Sequence, residues 1–142
     1  MLTNTEKTVN DLIEWIRDYF KKNGEGCSAV LGISGGKDSS VTAALLARAL
    51  GKDRVVGVMM PDGVQPDIAD SEALVEFLGI RHMTVNVGTT VAALKEALTA
   101  AGSEVTKDTK INIPPRVRMT TLYAVAQGLS EGGRVINTCN RS

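Results

Sequence analysis

The spacing of apolar residues follows two different patterns near the start of the chain. They first recur at intervals of three and four, at Val9, Leu12, Ile13, Ile16, Tyr19 and Phe20. This spacing predicts an amphipathic helix over residues 4–22. Residues 28–34 then form an apolar run without alternation, which is typical of a strand buried on both faces of a parallel sheet. The pattern therefore predicts a surface helix followed by a buried strand.

The same two patterns repeat along the rest of the chain. Further strands are predicted over residues 54–60, 82–87 and 134–138, and further helices over residues 38–50, 67–78 and 90–101. The polar stretch 103–113 shows no clear period and is predicted to be a loop. Pro114 and Pro115 are expected to open another helix that runs to about Ser130, because proline fits the first helical turn. This alternation predicts a doubly wound α/β fold, in which a parallel sheet carries helices on both faces.

Composition narrows the classes of protein to which the chain can belong. Sixteen Lys and Arg balance sixteen Asp and Glu, and a net charge of zero argues against a nucleic-acid-coating protein. Two cysteines are too few for a disulfide framework. No apolar run approaches the ~20 residues that span a bilayer, and the first residues do not resemble a signal peptide. We therefore expect a cytoplasmic protein that binds neither membranes nor nucleic acid.

The length of the chain fits one domain over residues 1–142. The chain stops within a few residues of the last predicted strand, and no closing helix follows that strand. We therefore expect this domain to be truncated at its C-terminal end and to belong to a longer polypeptide.

The segment after the first predicted strand carries the clearest chemical signal. Residues 32–40 read Gly-Ile-Ser-Gly-Gly-Lys-Asp-Ser-Ser and lead into a helix. Adjacent glycines allow a sharp turn whose N–H groups, together with the start of the helix, suit an anion. Ser34 adds a hydroxyl donor and Lys37 a positive charge. Asp38 would repel a phosphate unless a cation lies between them, so it is a candidate Mg²⁺ ligand.

Two commoner phosphate-binding motifs are excluded here. The Walker A loop requires a glycine five residues before its Gly-Lys-Ser/Thr, whereas Leu31 stands at that position and Asp38 follows the lysine. The dinucleotide fingerprint Gly-x-Gly-x-x-Gly fits no frame through Gly32, Gly35 and Gly36. A glycine turn without a ligand is the alternative, and the restricted pattern after a buried strand weighs against it.

The pattern Ser-Gly-Gly-x-Asp-Ser at residues 34–39 resembles the pyrophosphate loop of the ATP pyrophosphatase superfamily. This resemblance implies an adenine nucleotide alpha hydrolase-like, Rossmann-like fold with the strand order 3-2-1-4-5. It also implies cleavage of ATP between its α- and β-phosphates, with transfer of AMP to a substrate oxygen. The first and fourth strands are neighbours in that order, which places residues 34–40 beside residues 138–142.

Three further segments resemble the NAD synthetase family within this superfamily. They are residues 59–70, residues 112–123 with an Arg-x-Arg-Met pattern, and residues 135–142. The resemblance implies an amide-forming ligase that adenylates the nicotinate carboxylate of deamido-NAD and amidates it with ammonia, giving NAD⁺ and AMP. It also implies a homodimer. Pro115 departs from the family's usual alanine, and the family's Mg²⁺-binding glutamate would follow directly after Ser142.

The resemblance also assigns roles to individual residues. Those that would bind ATP at the loop are Gly32, Ile33, Ser34, Gly35, Gly36, Lys37, Asp38 and Ser39. Lys37 and Asp38 would be the catalytic residues, and Asp38 would hold Mg²⁺. Gln65 and Thr138 would contact ATP, and Arg116 would contact deamido-NAD. The alternative for Arg116 is a solvated surface position, and for Thr138 the simple end of a strand.

Two other functions stay open at this point. Another amidating or thiolating synthetase of the superfamily, such as GMP synthetase or a transfer-RNA thiolase, would share the loop. The zero net charge weighs against transfer RNA, and the helix with Arg116 weighs against GMP synthetase. A non-catalytic ATP-binding module would bind nucleotide without forming AMP.

Overall fold

The computed structural model describes residues 2–63 and 68–137 of the chain. The helices are α1 Leu2–Asn23, α2 Lys37–Leu50, α3 Ile68–Leu78, α4 Gly88–Ala100 and α5 Lys107–Gly128. The strands are β1 Ser28–Gly32, β2 Val55–Met59, β3 Arg81–Thr84 and β4 Gly133–Val135, and a 3-10 turn, Lys52–Arg54, precedes β2. Within these two ranges, no helix has both the length and the apolar character needed to cross a membrane.

The strands form one parallel sheet in the order β3-β2-β1-β4. Strand β1 lies inside the sheet, where Ala29 pairs with Val55 of β2 on one side and with Arg134 of β4 on the other. The predicted doubly wound fold and the order 3-2-1-4 are therefore confirmed. The fifth strand of the family's order stays a prediction.

The sheet buries a different apolar layer on each face, because successive residues of a strand point to opposite sides. One layer packs against α1, α2 and α3 and contains Phe20, Ala29, Leu31, Leu46, Val55, Met59 and Val75. The other packs against α5 and contains Val30, Val56, Val58, Leu122 and Ala126. The apolar runs of β1 and β2 are thus buried on both faces, as their sequence predicts.

The predicted loop over residues 103–113 is wrong in its second half. Helix α5 begins directly after Thr106, whose side chain caps it by accepting a hydrogen bond from the N–H of Thr109 at 3.2 Å. Ile113 is 8% exposed and belongs to a third apolar cluster, which includes Val91 of α4. Capping and burial therefore form a helix where the sequence shows no clear apolar period.

The prediction that Pro114 and Pro115 open a helix is also wrong, because both lie inside α5. Proline has no N–H group, so the carbonyl oxygens of Lys110 and Ile111 lose their usual helical donors. The helix continues through this stretch because apolar contacts hold it on both sides. Ile113, which directly precedes the two prolines, is buried, and so is Leu122, about two helical turns after them.

The predicted strands over residues 82–87 and 134–138 are shorter than expected. Regular pairing in β3 ends at Thr84, although hydrogen bonds to the segment after β2 continue beyond it. The N–H of Val85 donates to the carbonyl oxygen of Met59, and the N–H of Val87 donates to that of Pro61, both at 2.8 Å. The chain after β2 is therefore held in place as far as the residues that lead to the next helix.

Candidate functional site

The turn between β1 and α2 lies at the carboxyl edge of the sheet, where the parallel strands end. The N–H of Ile33 donates to the carbonyl oxygen of Val58 at 2.9 Å, and the side chain of Ile33 is 4% exposed. Gly35 has φ of 81°, in the left-handed region that favours glycine. A Cβ atom on Gly32 would lie 3.0 Å from Cε of Met60, so the start of the turn passes close to the end of β2.

Serine hydroxyl groups hold this turn together from within. The Oγ of Ser39 accepts from the N–H of Ser34 at 3.4 Å and donates to the carbonyl oxygen of Gly36 at 3.2 Å. The N–H of Gly36 donates to the Oγ of Ser34 at 3.2 Å. Ser40 adds a hydrogen bond from its Oγ to the same carbonyl of Gly36 at 2.8 Å. Ser39 is 3% exposed, so in this conformation it braces the turn from inside.

The start of α2 offers donors to an anion. Gly36 is its N-cap residue and provides no side-chain cap. The first helical hydrogen bond runs from the N–H of Ser40 to Gly36, so the geometry of a helix leaves the N–H groups of residues 37–39 without helical acceptors. A depression of about 360 Å³ lies here, lined by Ser34, Gly36, Lys37, Asp38 and Ser39. Its unpaired N–H groups and the positive end of the helix dipole suit a phosphate.

Lys37 and Asp38 add two opposite charges to the depression. Both residues are exposed, and neither side chain forms a hydrogen bond or ion pair with any residue in the described ranges. An oxygen-donating carboxylate beside phosphate donors fits Mg²⁺, which is usually held by one or two carboxylates together with substrate phosphates and water. No cluster of three or more potential metal ligands occurs among the described residues. Asp38 is the carboxylate that lines the depression.

Helix α5 extends from the middle of the sheet past its carboxyl edge. The Cδ1 atom of Leu122 lies 3.9 Å from the position of a Cβ on Gly32. Arg116 lies six residues earlier, about 9 Å further along the helix axis. Because α5 leads into the amino end of β4, this direction points towards the carboxyl edge, where the turn after β1 lies. Arg116 is exposed there.

The two arginines of the Arg-x-Arg pattern have different surroundings. The guanidinium of Arg118 is partly buried, and its Nε donates to the carbonyl oxygen of Met60 at 3.0 Å. Residues two apart on a helix face different directions, so Arg116 does not share this contact. The side chain of Arg116 forms no hydrogen bond or ion pair within the described ranges. Most of the described arginines have one, namely Arg17, Arg54, Arg81, Arg118 and Arg134.

The structure gathers most, but not all, of the predicted site residues. Residues 32–39 form the turn and its depression, and Arg116 lies on the helix that extends past the same edge. Gln65 and Thr138 lie outside the described residues. The roles in ligand binding stay predictions for all of these positions.

Sequence reasoning did not single out Asn86, which fixes the chain before Gln65. Its Oδ1 accepts from the N–H of Gly63 at 3.1 Å, and its Nδ2 donates to the carbonyl oxygen of Gly63 at 2.9 Å. The same Oδ1 accepts from the N–H of Gly88 at 2.9 Å. Its only signal in the sequence is a polar residue between two apolar ones, Val85 and Val87, which is common in strands.

Comparison with known proteins assigns this arrangement to a family. The family model described as NAD synthase matches residues 8–142. The chain belongs to the NAD synthase family. Curated relatives of the family include the NH₃-dependent NAD⁺ synthetase of Pyrococcus furiosus, which is 38% identical over 139 residues, and that of Methanosarcina mazei, which is 39% identical over 140 residues. These alignments cover 98% and 96% of the chain, but 50% and 53% of the relatives. The chain thus spans about half the length of the curated relatives it matches.

Solved structures of the family have the same architecture. The NH₃-dependent NAD synthetase of Campylobacter jejuni, in complex with nitrate, gives a TM-score of 0.82 at 26% identity, covering 95% of this chain and 56% of that one. The NMN synthetase of Francisella tularensis gives 0.79 at 30% identity, with coverages of 95% and 54%. The glutamine-dependent NAD⁺ synthetase of Acinetobacter baumannii, in complex with ADP, gives 0.80 at 28% identity, with coverages of 91% and 24%. The relatives therefore differ in nitrogen source and in named product.

Proposed function

We propose that the chain is the ATP-binding part of an NAD synthetase that uses ammonia. In this reaction ATP adenylates the nicotinate carboxylate of deamido-NAD and releases pyrophosphate. Ammonia then displaces AMP and forms the amide of NAD⁺. The observation that carries the proposal is the braced turn at residues 34–39, which joins unpaired N–H groups, Lys37 and Asp38 around one depression.

The turn acts by holding the phosphates of ATP in place. The N–H groups of residues 37–39 donate to phosphate oxygens, and the ammonium of Lys37 offsets their negative charge. Ser39 keeps the turn in shape from inside, and Ser34 presents its hydroxyl at the surface. Rigid donors cost little reorganisation when negative charge moves from the attacking carboxylate to the pyrophosphate. No side chain needs to form a covalent bond with the substrate.

Asp38 holds Mg²⁺ in this proposal. Bound there, Mg²⁺ would supply positive charge that offsets the negative charge of the ATP phosphates. Asp38 suits this role because its side chain is exposed at the depression and has no partner in the described part of the chain. The Oγ1 of Thr42 donates to the backbone carbonyl oxygen of Asp38 at 2.9 Å, so this contact does not involve the carboxylate.

Arg116 binds deamido-NAD in this proposal. Its guanidinium is exposed and unpaired within the described residues, and α5 carries it past the carboxyl edge of the sheet. A fixed cation there can pair with a carboxylate or a phosphate of a dinucleotide. Gln65 and Thr138 would complete the contacts with ATP. We further propose that residues 1–142 are one domain of a longer protein, because the matched relatives are about twice as long. That this protein is a homodimer is proposed from the resemblance to the family alone.

The proposal is tested by measuring AMP released from Mg-ATP and ammonium, with and without deamido-NAD. AMP that forms only with deamido-NAD, together with NAD⁺, supports the reaction. A parallel sample contains the deamido form of NMN, because one structural neighbour is named an NMN synthetase. AMP formed only in that sample reassigns the substrate. In the full-length protein, tight ATP binding without AMP from any substrate favours a non-catalytic module and contradicts the proposal.

A further inference from the structure

The segment that follows β2 is held by hydrogen bonds along its length. Four backbone carbonyl oxygens of residues 59–63 accept hydrogen bonds from residues outside this segment. They belong to Met59, Met60, Pro61 and Gly63. The chain at residues 85–87 supplies three of the donors. Arg118 of α5 supplies the fourth, to Met60. Among the described residues, Arg118 is therefore the one through which α5 joins this hydrogen-bond network at the carboxyl edge.

Helix α5 needs an external contact at this point. Pro114 and Pro115 remove two helical hydrogen bonds just before the turn that carries Arg116. The polar contact of Arg118 follows the second proline by three residues and lies on the side of the helix that faces the sheet. A charged donor to a partly buried carbonyl is among the stronger hydrogen bonds of a protein. It therefore fixes the helix about one turn after the stretch in which the prolines interrupt its backbone bonding.

Met60, whose carbonyl oxygen accepts this hydrogen bond, also lies close to the residue that leads into the phosphate-binding turn. The Cε of Met60 would lie 3.0 Å from a Cβ on Gly32, the residue at which β1 passes into the turn. Met60 packs at the same time against the apolar clusters on α5 and α4. A path of direct contacts therefore joins Arg118, Met60 and Gly32. It connects the helix of Arg116 with the turn at residues 34–39.

We propose that Arg118 is a positioning residue, which fixes the Arg116 turn of α5 relative to the phosphate-binding turn through the carbonyl group of Met60. The identity of the two ligands rests on the function proposed above, whereas the contact itself does not. Arg116 binds the substrate, and Arg118 acts only through it. The Arg-x-Arg pattern thus combines one ligand-binding arginine with one that sets its position.

The structural part is tested by amide hydrogen exchange in the ligand-free chain. Arg118→Met keeps much of the side-chain volume but removes the donor to Met60. We expect amides of residues 116–121 to exchange about tenfold faster, since a charged hydrogen bond is lost. Arg54→Met is the matched control, because Arg54 is also partly buried and donates to a backbone carbonyl, that of Cys27, at 2.7 Å. It should leave exchange in α5 unchanged. Unchanged exchange of α5 in Arg118→Met overturns the proposal.

The functional part is tested by a double-mutant cycle with Arg116→Met. Arg118→Met should raise the KM for deamido-NAD about tenfold while the Kd for ATP alone stays within about twofold, because misplaced groups lose catalysis steeply. If Arg118 acts through Arg116, adding Arg118→Met to Arg116→Met raises that KM no further. If Arg118 served only to stabilise the fold, the two substitutions would act independently and their effects on the KM would be additive in free energy. The fraction of active protein would also fall, and this fall would be the same whichever substrate is varied. Additive effects overturn the proposal.

The two proposals fail in different ways. A wild-type protein that forms no AMP with deamido-NAD contradicts the proposed reaction, and the exchange experiment still decides whether Arg118 fixes α5. If the wild-type protein is active but the KM and the amide exchange of Arg118→Met are unchanged, only the positioning role is contradicted.

Discussion

The two edges of the sheet differ in how many of their charged side chains are paired. At the amino edge, arginines donate to backbone carbonyls of neighbouring segments: Arg54 to Cys27, Arg81 to Asp53 and Arg134 to Asn23. At the carboxyl edge Arg118 also donates to a backbone carbonyl, that of Met60, but the side chains of Lys37, Asp38 and Arg116 form no hydrogen bond or ion pair within the described ranges. Paired charges satisfy carbonyl groups and fix the chain, whereas unpaired charges are available to a ligand. The comparison separates the edge that stabilises the fold from the edge that we propose binds nucleotides.

Glu131 is the most extensively paired carboxylate described at the amino edge. Its carboxylate accepts hydrogen bonds from Arg81 and, at 2.7 Å, from the Oγ of Ser28, which is fully buried in β1. These hydrogen bonds, that of Arg81 first, lower the pKa of Glu131 from 4.5 to about 2. Through this group the outer strand β3, the inner strand β1 and the end of α5 are linked. An exposed ion pair by itself adds little stability, so the buried hydroxyl is the more important partner.

The largest expected effect is the loss of activity in Asp38→Asn at the carboxyl edge. The change removes the proposed metal ligand, so AMP formation should fall by about 100-fold or more, since charge neutralisation at transferring groups is a large part of catalysis. Stability should change by less than about 0.5 kcal/mol, because the side chain is exposed and unpaired. Initial rates at saturating Mg²⁺ and thermal unfolding measure the two effects.

Asp53→Asn is the matched control for Asp38→Asn. Asp53 is an exposed carboxylate near the amino edge, and its contact with Arg81 uses its backbone oxygen. This variant should keep full activity. Equal losses in the two variants would remove the functional distinction between the edges.

The next effect is a loss of stability in Gly133→Ala at the amino edge. A Cβ at this position would lie 2.8 Å from both Cα and Cβ of Ala126, so β4 and α5 must move apart. Such overpacking costs about 1–3 kcal/mol. Urea unfolding measures it. Gly128→Ala, where a Cβ would meet nothing within 4 Å, should be neutral or stabilising, and a comparable loss in that variant would contradict the steric explanation.

A smaller loss is expected for Ser28→Ala. The buried hydroxyl donates to Glu131 at 2.7 Å, and its removal should lower the free energy of unfolding by about 1 kcal/mol. The midpoint of urea unfolding reports the change, and Ser103→Ala, at an exposed position, is the control. If AMP formation per folded molecule fell in Ser28→Ala, the amino edge would not be purely structural.

The smallest effect is a dependence of stability on pH through Glu131. Its pKa is about 2 in the folded protein and near 4.5 when unfolded, so its contribution is complete above about pH 5 and is lost as pH falls through 2. Glu131→Gln should flatten this part of the unfolding profile between pH 5 and 2. Because the pair is exposed, high salt should also reduce the difference. An unchanged acid limb in Glu131→Gln would show that the ion pair does not contribute.

Much of the fold was predictable because its signals are local. The apolar runs at β1 and β2 and the glycines of the turn after β1 each lie within a few residues of one another. The start of α5 was missed because the sequence has no apolar period there, and burial of Ile113 against α4 depends on distant residues. The two prolines were misleading for the same reason, since tertiary packing overrode their preference for a helix start.

The candidate site was predictable to a different degree in each of its parts. The turn at residues 34–39 and Arg116 follow from the resemblance. The internal role of Ser39 does not, because hydrogen bonds within a turn depend on its three-dimensional path. Nor does the sequence tell which carbonyl an arginine will meet. Arg118 and Met60 are separated by 58 residues, and Arg134 and Asn23 by 111.

The parallel pairing of β1 with β4 also has a consequence for how the protein is made. Ser28 lies beside Gly133, so one side of β1 has no partner until about a hundred more residues have left the ribosome. Pairing with β2 and the turn after β1 need only the residues up to Met59. We therefore expect the phosphate-binding turn to form early in synthesis, while the exposed strand edge beside it persists and is prone to aggregation until translation reaches β4.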